Sequence, residues 1–306
     1  MKVTIAGGAG GVGSSLAFNL VLLRGGHQIV VADSRPEMIT SHLMDLEQVL
    51  ELSPGCTVDA GGANDLPDSD VVVIISASPL TVGTSRLEYL AKNARIVDEI
   101  GDLLEPGWPG TLVVVTNPVD PLVTRLHRRT GLDRHRIVGY TINDSLRLRT
   151  GLAKALGVGS GAVQAWAVGE HGDLSVPLLD RVTVNGAPVD PTPEQAAVAL
   201  DYFRNWYVRH VALDSGRSST WTSGFALARM VSALQGAALD STAELWPASV
   251  VLDGEYGIAG VAVSVPVTLG AGGVQRIHEW TLTPSDLAAL QASAEVVRTA
   301  VENIEQ

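Results

Sequence analysis

Short apolar runs alternate with segments of helical spacing through the first half of the chain. The runs KVTIA (2–6), QIVVA (28–32), DVVVII (70–75) and TLVVV (111–115) are rich in β-branched residues and bounded by turn formers. Runs with so little polar alternation fit strands covered on both faces, as in a parallel sheet. Between them, residues 12–24, 36–50 and 86–104 repeat apolar positions at helical spacing. The β-α-β-α order predicts a doubly wound α/β sheet.

After about residue 145 the texture changes. SLRLRTGLAKALG reads as a helix, and alternating strands follow near 162–169 and 181–184, with a polar turn at VNGAP. Two long helical patterns (192–213 and 220–236) precede strands around 248–252 and 259–265. A last amphipathic helix begins at TPSDL, where Thr283 or Ser285 can cap it. The uncharged run from Tyr256 to Gln275 is long enough to suggest a membrane span. Its Gly, Ser, Thr and Pro content and its alternating middle predict a buried strand leading into a turn instead. With no flexible linker in view, two lobes are expected inside one compact body, residues 1–144 and 145–306.

Composition narrows the function classes. A chain of 306 residues with 46% hydrophobic and 18% charged residues can bury a large core. Its formal charge of −12 argues against a nucleic-acid backbone or an anionic membrane as partner. Cys56 is the only cysteine, which leaves no disulfide framework and no Cys-rich metal site and suits a reducing cytoplasm. The start, MKVTIAGG, leaves no room for a signal peptide. No histidine pair has metal-ligand spacing, so no metal is expected.

The most specific motif is IAGGAGGVGSS, with Gly8-x-Gly10-x-x-Gly13 between the first strand and the first helix. Glycines there permit a tight turn and close approach of the backbone to a pyrophosphate, and the helix N-terminus offers free N–H groups. Asp33 lies 20 residues after Gly13, at the end of VVAD. A carboxylate in that register accepts hydrogen bonds from the adenosine ribose and repels a 2′-phosphate, so NAD is expected over NADP. Arg35 is a nearby cation that could soften that choice.

Other stretches are ambiguous alone. Asn117-Pro118 in VVVTNPVD ends a buried strand at the sheet's carboxyl edge, where doubly wound folds bind ligands, but an Asn-Pro turn explains it equally well. Asp144 and Arg147 in GYTINDSLRLR share a helix face, as a surface ion pair would. Arg86 follows the loop SASPLTVGTS and opens a helix, where a cation opposes the macrodipole and is expected to have another partner. VGEHGD places His171, one of seven histidines, between Glu170 and Gly172, where it could simply face water.

In this order, AGGAGGVGSS, VVAD, the Arg86 loop, Asn93, VTNPVD, DSLRLR, GEHGD and GEYG…SVPVTLGAGGV resemble the lactate/malate dehydrogenase family nearly end to end. The resemblance implies an N-terminal Rossmann NAD-binding domain (1–144) and a C-terminal α+β substrate-binding and catalytic domain (145–306). It implies His171 as acid/base, Asp144 as its carboxylate partner and Arg86 as the group that polarises the carbonyl. Arg147 would clamp the substrate carboxylate, with Asn117 and Thr222 also in the substrate pocket. Gly8, Gly10, Gly11, Val12, Gly13, Asp33, Ala77, Asn93 and Asn117 would line the cofactor site. The family's substrate-selecting position, six residues before Arg86, holds Leu80, where malate enzymes have arginine and many lactate enzymes glutamine. Val82 replaces the usual proline.

A dehydrogenase of small (S)-2-hydroxy monocarboxylic acids is therefore expected, as a cytoplasmic homodimer or homotetramer. The alternative is a malate dehydrogenase with an atypical substrate loop, because GYTIND resembles the malate branch while GEHGD resembles the lactate branch. An NAD-dependent glycosidase of related fold needs a metal-binding cysteine beyond the first half, and Cys56 lies inside it. A catalytically idle NAD-binding protein is the remaining rival, and the set Arg86, Asn117, Asp144, Arg147 and His171 argues against it.

Overall fold

The computed structural model describes residues 1–79, 85–216, 218–236 and 244–305. Six strands run parallel: β1 (Lys2–Ala6), β2 (Gln28–Ala32), β3 (Thr57–Gly61), β4 (Val71–Ile74), β5 (Thr111–Val114) and β6 (Ile137–Tyr140). The connecting helices are α1 (Gly11–Leu23), α2 (Pro36–Leu52), α3 (Arg86–Gly101) and α4 (Val119–Thr130), and α5 (Ile142–Leu156) follows β6. The strand order β3-β2-β1-β4-β5-β6 reverses direction at β1, and the crevice beside that reversal is where such sheets bind dinucleotides.

Alternate residues of the central strands feed two cores, which is why these strands carry almost no polar residues. Val71 and Val73 of β4 and Val113 of β5 pack with Leu16 and Leu20 of α1. Val72 and Ile74 of β4, with Leu112 and Val114 of β5, pack with Leu90 and Val97 of α3 and Leu122 and Leu126 of α4.

The second half contains β7 (Val163–Gly169), β8 (Ser175–Val184), β9 (Ala187–Pro188), α6 (Pro193–Ala212), α7 (Thr220–Leu234), β10 (Leu245–Asp253), β11 (Ala259–Gly270), β12 (Gly273–Ile277) and α8 (Pro284–Glu305). Its antiparallel strands do not form a separate sheet. β10 pairs with β6 through Ala248↔Tyr140 and Ser249↔Gly139, and the sheet continues in the order β10-β11-β7-β8-β9. The exposed edge of the parallel sheet is thereby covered. A Cβ at Gly139 would lie 2.6 Å from that of Ser249, so glycine is what lets β10 approach. Helix α7 folds back onto α1, where a Cβ at Gly224 would clash with the Ser15 hydroxyl.

The run from Tyr256 to Gln275 is β11, the tight turn at Ala271–Gly272 and the start of β12, as its alternation suggests. Thr283 caps α8 by accepting the Asp286 N–H at 3.1 Å. Strand β8 begins six residues earlier than its strictly alternating end, and the third helical pattern stops at Gly101, not at residue 104. No helix of the described residues is long and apolar enough to cross a membrane.

One turn sets the geometry of everything at the crevice. Gly7 leaves β1 with φ +90°, and both Gly7 and Gly8 donate their N–H groups to Ala32 O, at 2.8 and 3.0 Å. A Cβ on Gly7 would sit 2.5 Å from the backbone nitrogen of Ser76. Gly7→Ala therefore combines a left-handed φ with a backbone clash and should cost about 1–3 kcal/mol, lowering Tm by several degrees. A thermal melt indistinguishable from wild type would contradict this reading of the turn.

Candidate active site

The glycine loop divides its work among four residues. A Cβ at Gly8 would meet Val31 at 2.5 Å, and one at Gly13 would meet Gly7 O at 2.6 Å, so both serve close packing of strand, turn and helix. Gly11 is open to solvent but its missing Cβ faces Thr220 of α7 at 2.6 Å. Gly10 is different. Its nearest neighbour would be Gly7 O at 3.4 Å, so a side chain there would project into the space in front of the helix. Gly10 is also the N-cap of α1 and supplies no side-chain cap, and the first turn, which includes half-buried Val12, carries no acidic residue. Free N–H groups, an uncompensated dipole and an open approach fit the pyrophosphate of a dinucleotide.

Asp33 ends β2 with its side chain only 6% exposed. Its carboxylate accepts from Ala9 N at 3.1 Å and from Arg35, through Nε at 2.9 Å and Nη2 at 3.2 Å. Burial alone would raise its pKa, but these partners together hold it below the ordinary carboxylate range. Arg35 thus lies across the carboxylate expected to meet the ribose.

Past β4, Ala77 is exposed. Asn93 of α3 is fully buried: its Oδ1 accepts from Ser78 N at 2.7 Å and its Nδ2 donates to Asn117 O at 2.6 Å. It ties the loops after β4 and β5 together, beside the crevice where the cofactor contact is expected. Asn117 itself is exposed beyond β5, before a cis peptide to Pro118.

The second half of the site forms where the two kinds of strand meet. Asp144 lies in the first turn of α5, directly after β6, and His171 follows the end of β7 at Gly169, which pairs with Ser264 of β11. The Thr141 and Ser264 hydroxyls bond at 2.7 Å, and Ser145 Oγ accepts from Ala167 N at 3.0 Å. These ties bring residues 27 apart into contact, His171 Nδ1 lying 2.5 Å from Asp144 Oδ2. Burial pulls the His171 pKa down, but the charge and hydrogen bond of Asp144 more than offset it, leaving it above the ordinary 6.5.

Arg147 lies one turn further along α5, 81% of its side chain covered, with Nη1 3.5 Å from Asp144 Oδ1. Its guanidinium carbon stands 4.4 Å from a ring centre of Trp206 on α6, and His210 stacks with Trp206 at 4.9 Å between ring centres. Arg149 points elsewhere, donating from Nε to Ala165 O at 3.0 Å.

Arg86 is the first residue of α3 and is 92% exposed. The partner its position called for is Asp173, with Nη2 and Oδ2 2.5 Å apart, so the cation reaches the loop of His171. Thr222 sits on the exposed start of α7, while its buried neighbour Ser223 accepts from Asn143 Nδ2 at 3.0 Å, next to Asp144. Leu80, Val82 and Arg217 lie outside the described residues. Asp120, Asp173 and Trp206 were not singled out in the sequence. Asp120 stood in view inside VTNPVD, and nothing in its spacing says that it turns toward residue 171.

A doubly wound sheet with a glycine cradle at its crevice, together with a buried histidine–carboxylate couple, is the arrangement of a dinucleotide-dependent oxidoreductase. Comparison with known proteins gives the family. Residues 1–139 match the lactate/malate dehydrogenase NAD-binding domain, and residues 141–306 match the lactate/malate dehydrogenase alpha/beta C-terminal domain. The chain is 32% identical to a malate dehydrogenase of Nitratiruptor sp., covering 99% of this chain and 96% of the relative. It is 31% identical to an L-lactate dehydrogenase of Treponema denticola, with 98% and 96% covered. A crystal structure of a minor L-lactate dehydrogenase from Enterococcus mundtii superposes with a TM-score of 0.87 at 26% identity, covering 98% and 97% of the two chains. The chain belongs to the lactate/malate dehydrogenase family.

The couple should be visible in titration. Histidine-resolved NMR is expected to place the His171 pKa above 6.5 in wild type and lower in Asp144→Asn, where the largest compensation for burial is lost. By linkage, a raised histidine pKa contributes stability that is complete below 6.5 and lost as pH rises through the native value. The Tm gap between the two proteins should accordingly be wider at pH 6 than at pH 9. A His171 pKa that Asp144→Asn leaves in place would remove the coupling.

Proposed function

We propose that this dehydrogenase interconverts small (S)-2-hydroxy and 2-oxo monocarboxylic acids with NAD, residues 1–144 holding the cofactor and 145–306 supplying most of the substrate site. The observation that carries the reading is the 2.5 Å contact of His171 Nδ1 with Asp144, with Arg147 on the same helix. Asp144 fixes the tautomer, leaving Nε2 to exchange a proton with the substrate oxygen, and stabilises the imidazolium. Arg147 grips the carboxylate with a planar fork, its guanidinium carbon 4.4 Å from the Trp206 ring centre. Arg86, once it leaves or carries Asp173, brings positive charge to the developing oxyanion, and Asn117 donates to the same oxygen. Bound NAD supplies the hydride acceptor and its reduced form the donor.

Leu80 supports a monocarboxylic substrate, because an apolar side chain offers a second carboxylate no partner. Asp33 supports NAD over NADP, although Arg35 lies across it. Exposed Phe18 on α1, Met44 on α2 and Phe225 on α7 support self-association, and a cytoplasmic homodimer or homotetramer is the assembly proposed. Relatives named malate dehydrogenase make oxaloacetate the substrate to test against.

The test is turnover of NADH with pyruvate, 4-methyl-2-oxopentanoate and oxaloacetate. Wild type should show higher kcat/KM for the two monocarboxylates. His171→Asn should lose turnover by about a hundredfold or more while binding NADH as wild type does. A wild-type preference for oxaloacetate would move the protein to the malate branch. Parallel loss of NADH affinity in His171→Asn would make the histidine structural.

A further inference from the structure

Asp120 takes no part in the chemistry just described, yet its placement is costly. It lies in the first turn of α4 with 1% of its surface exposed. Its Oδ2 accepts the backbone N–H of His171 at 2.6 Å, across 51 residues of sequence. Its Oδ1 makes no hydrogen bond among the described residues, and neither does the buried hydroxyl of Ser249 on β10, although Ser249 stands near enough to favour the ionised carboxylate.

The other amides of the same loop are held more cheaply. Glu170 N donates to the Ser293 hydroxyl of α8 at 3.2 Å, Gly172 N to Glu170 O at 2.9 Å, and Leu174 N to the partly exposed Glu170 carboxylate at 3.0 Å. A neutral acceptor would also pair the His171 amide, as the Ser293 hydroxyl does for Glu170. A buried carboxylate is unfavourable unless a positive charge answers it. The group nearby that can become positive is the His171 ring, and it does so during turnover.

We propose that Asp120 is a positioning residue for the acid/base: it anchors the His171 backbone and sets beside it a negative charge additional to that of Asp144. This rests on the reading of His171 as the proton-exchanging group. Burial pushes the Asp120 pKa up to about 7, against the Ser249 hydroxyl and the His171 amide and ring, which lower it, and with Glu170, which raises it. Around His171, Asp144 and Asp120 favour the imidazolium and Arg147 opposes it. The ionised forms of Asp120 and His171 therefore favour each other.

The test is the pH dependence of kcat/KM in both directions for Asp120→Asn, which can still accept the His171 N–H but carries no charge. Reduction needs protonated His171 and fails on the alkaline side; oxidation needs the neutral ring and fails on the acid side. Loss of the Asp120 charge lowers the His171 pKa, so both limbs should move to lower pH together, by roughly half a unit to a unit. NADH binding, followed by fluorescence, should keep its stoichiometry. A merely structural role would lower the plateaus and leave both limbs in place, and that result would overturn the proposal. Should Asp120→Asn fail to fold, Ser249→Ala decides: loss of the hydroxyl keeps Asp120 protonated to higher pH and should shift both limbs the same way by a smaller amount, and unmoved limbs there would overturn it too. His171→Asn is the control. If it is inactive while the limbs of Asp120→Asn stay put, this inference alone fails; if it retains full turnover, the acid/base reading fails and takes the inference with it.

Discussion

The contact between His171 and Asp144 joins two architectures. Asp144 comes from the first turn of a helix that leaves the last parallel strand, and His171 from the end of a strand in the antiparallel extension. Neither strand would place its residue correctly without the other. β6 must be short and must carry Gly139, so that β10 can approach its edge, and β11 must then bring β7 alongside. The hydroxyl pair Thr141–Ser264 and the Ser145–Ala167 bond fix the final alignment. A continuous sheet is a stiff support, and a catalytic couple that must hold its geometry to within about half an ångström benefits from it.

Charge around the couple is arranged against the overall composition. The chain carries a formal charge of −12, yet its expected substrates are anions. Arg147, stacked on Trp206 and close to Asp144, supplies local positive charge in a covered position, where bulk screening is weak. Two carboxylates face one histidine, so the ring keeps its proton above the pH at which a free histidine would lose it. At the other end of the crevice, the N-terminus of α1 offers backbone dipoles suited to phosphates, with the Arg35 guanidinium 4.0 Å from where a Gly10 Cβ would stand. Asp33 is already engaged by Arg35, whose side chain is half exposed.

Much of this was legible from residue order. Apolar β-branched runs marked β1, β2, β4 and β5 because those strands are covered on both faces. β3 was not visible, since TVDAG at the sheet edge is largely exposed and needs no apolar run. β6 was hidden for another reason: IVGY is only four residues long, and the glycine that lowers its strand signal is the one its neighbour requires. The motif residues of the couple were recognisable, and the partner that Arg86 needed was anticipated without being named. What spacing could not reveal were contacts that depend on tertiary folding, such as Asp120 with the His171 amide, Trp206 with Arg147 and Asp173 with Arg86. Asn93 shows both sides. Its place in the motif order was clear, but the two loop-tying hydrogen bonds it makes were not, because they depend on how the loops after β4 and β5 fold together.

If the couple works as a unit, its members cannot contribute independently. A double-mutant cycle of Asp144→Asn and His171→Asn, followed by kcat/KM for 2-oxo acid reduction by NADH, measures this most directly. The account predicts that adding Asp144→Asn to His171→Asn costs little further activity, because the carboxylate has no imidazolium left to stabilise. Losses that multiply in the double variant would contradict it, since the two residues would then be acting separately.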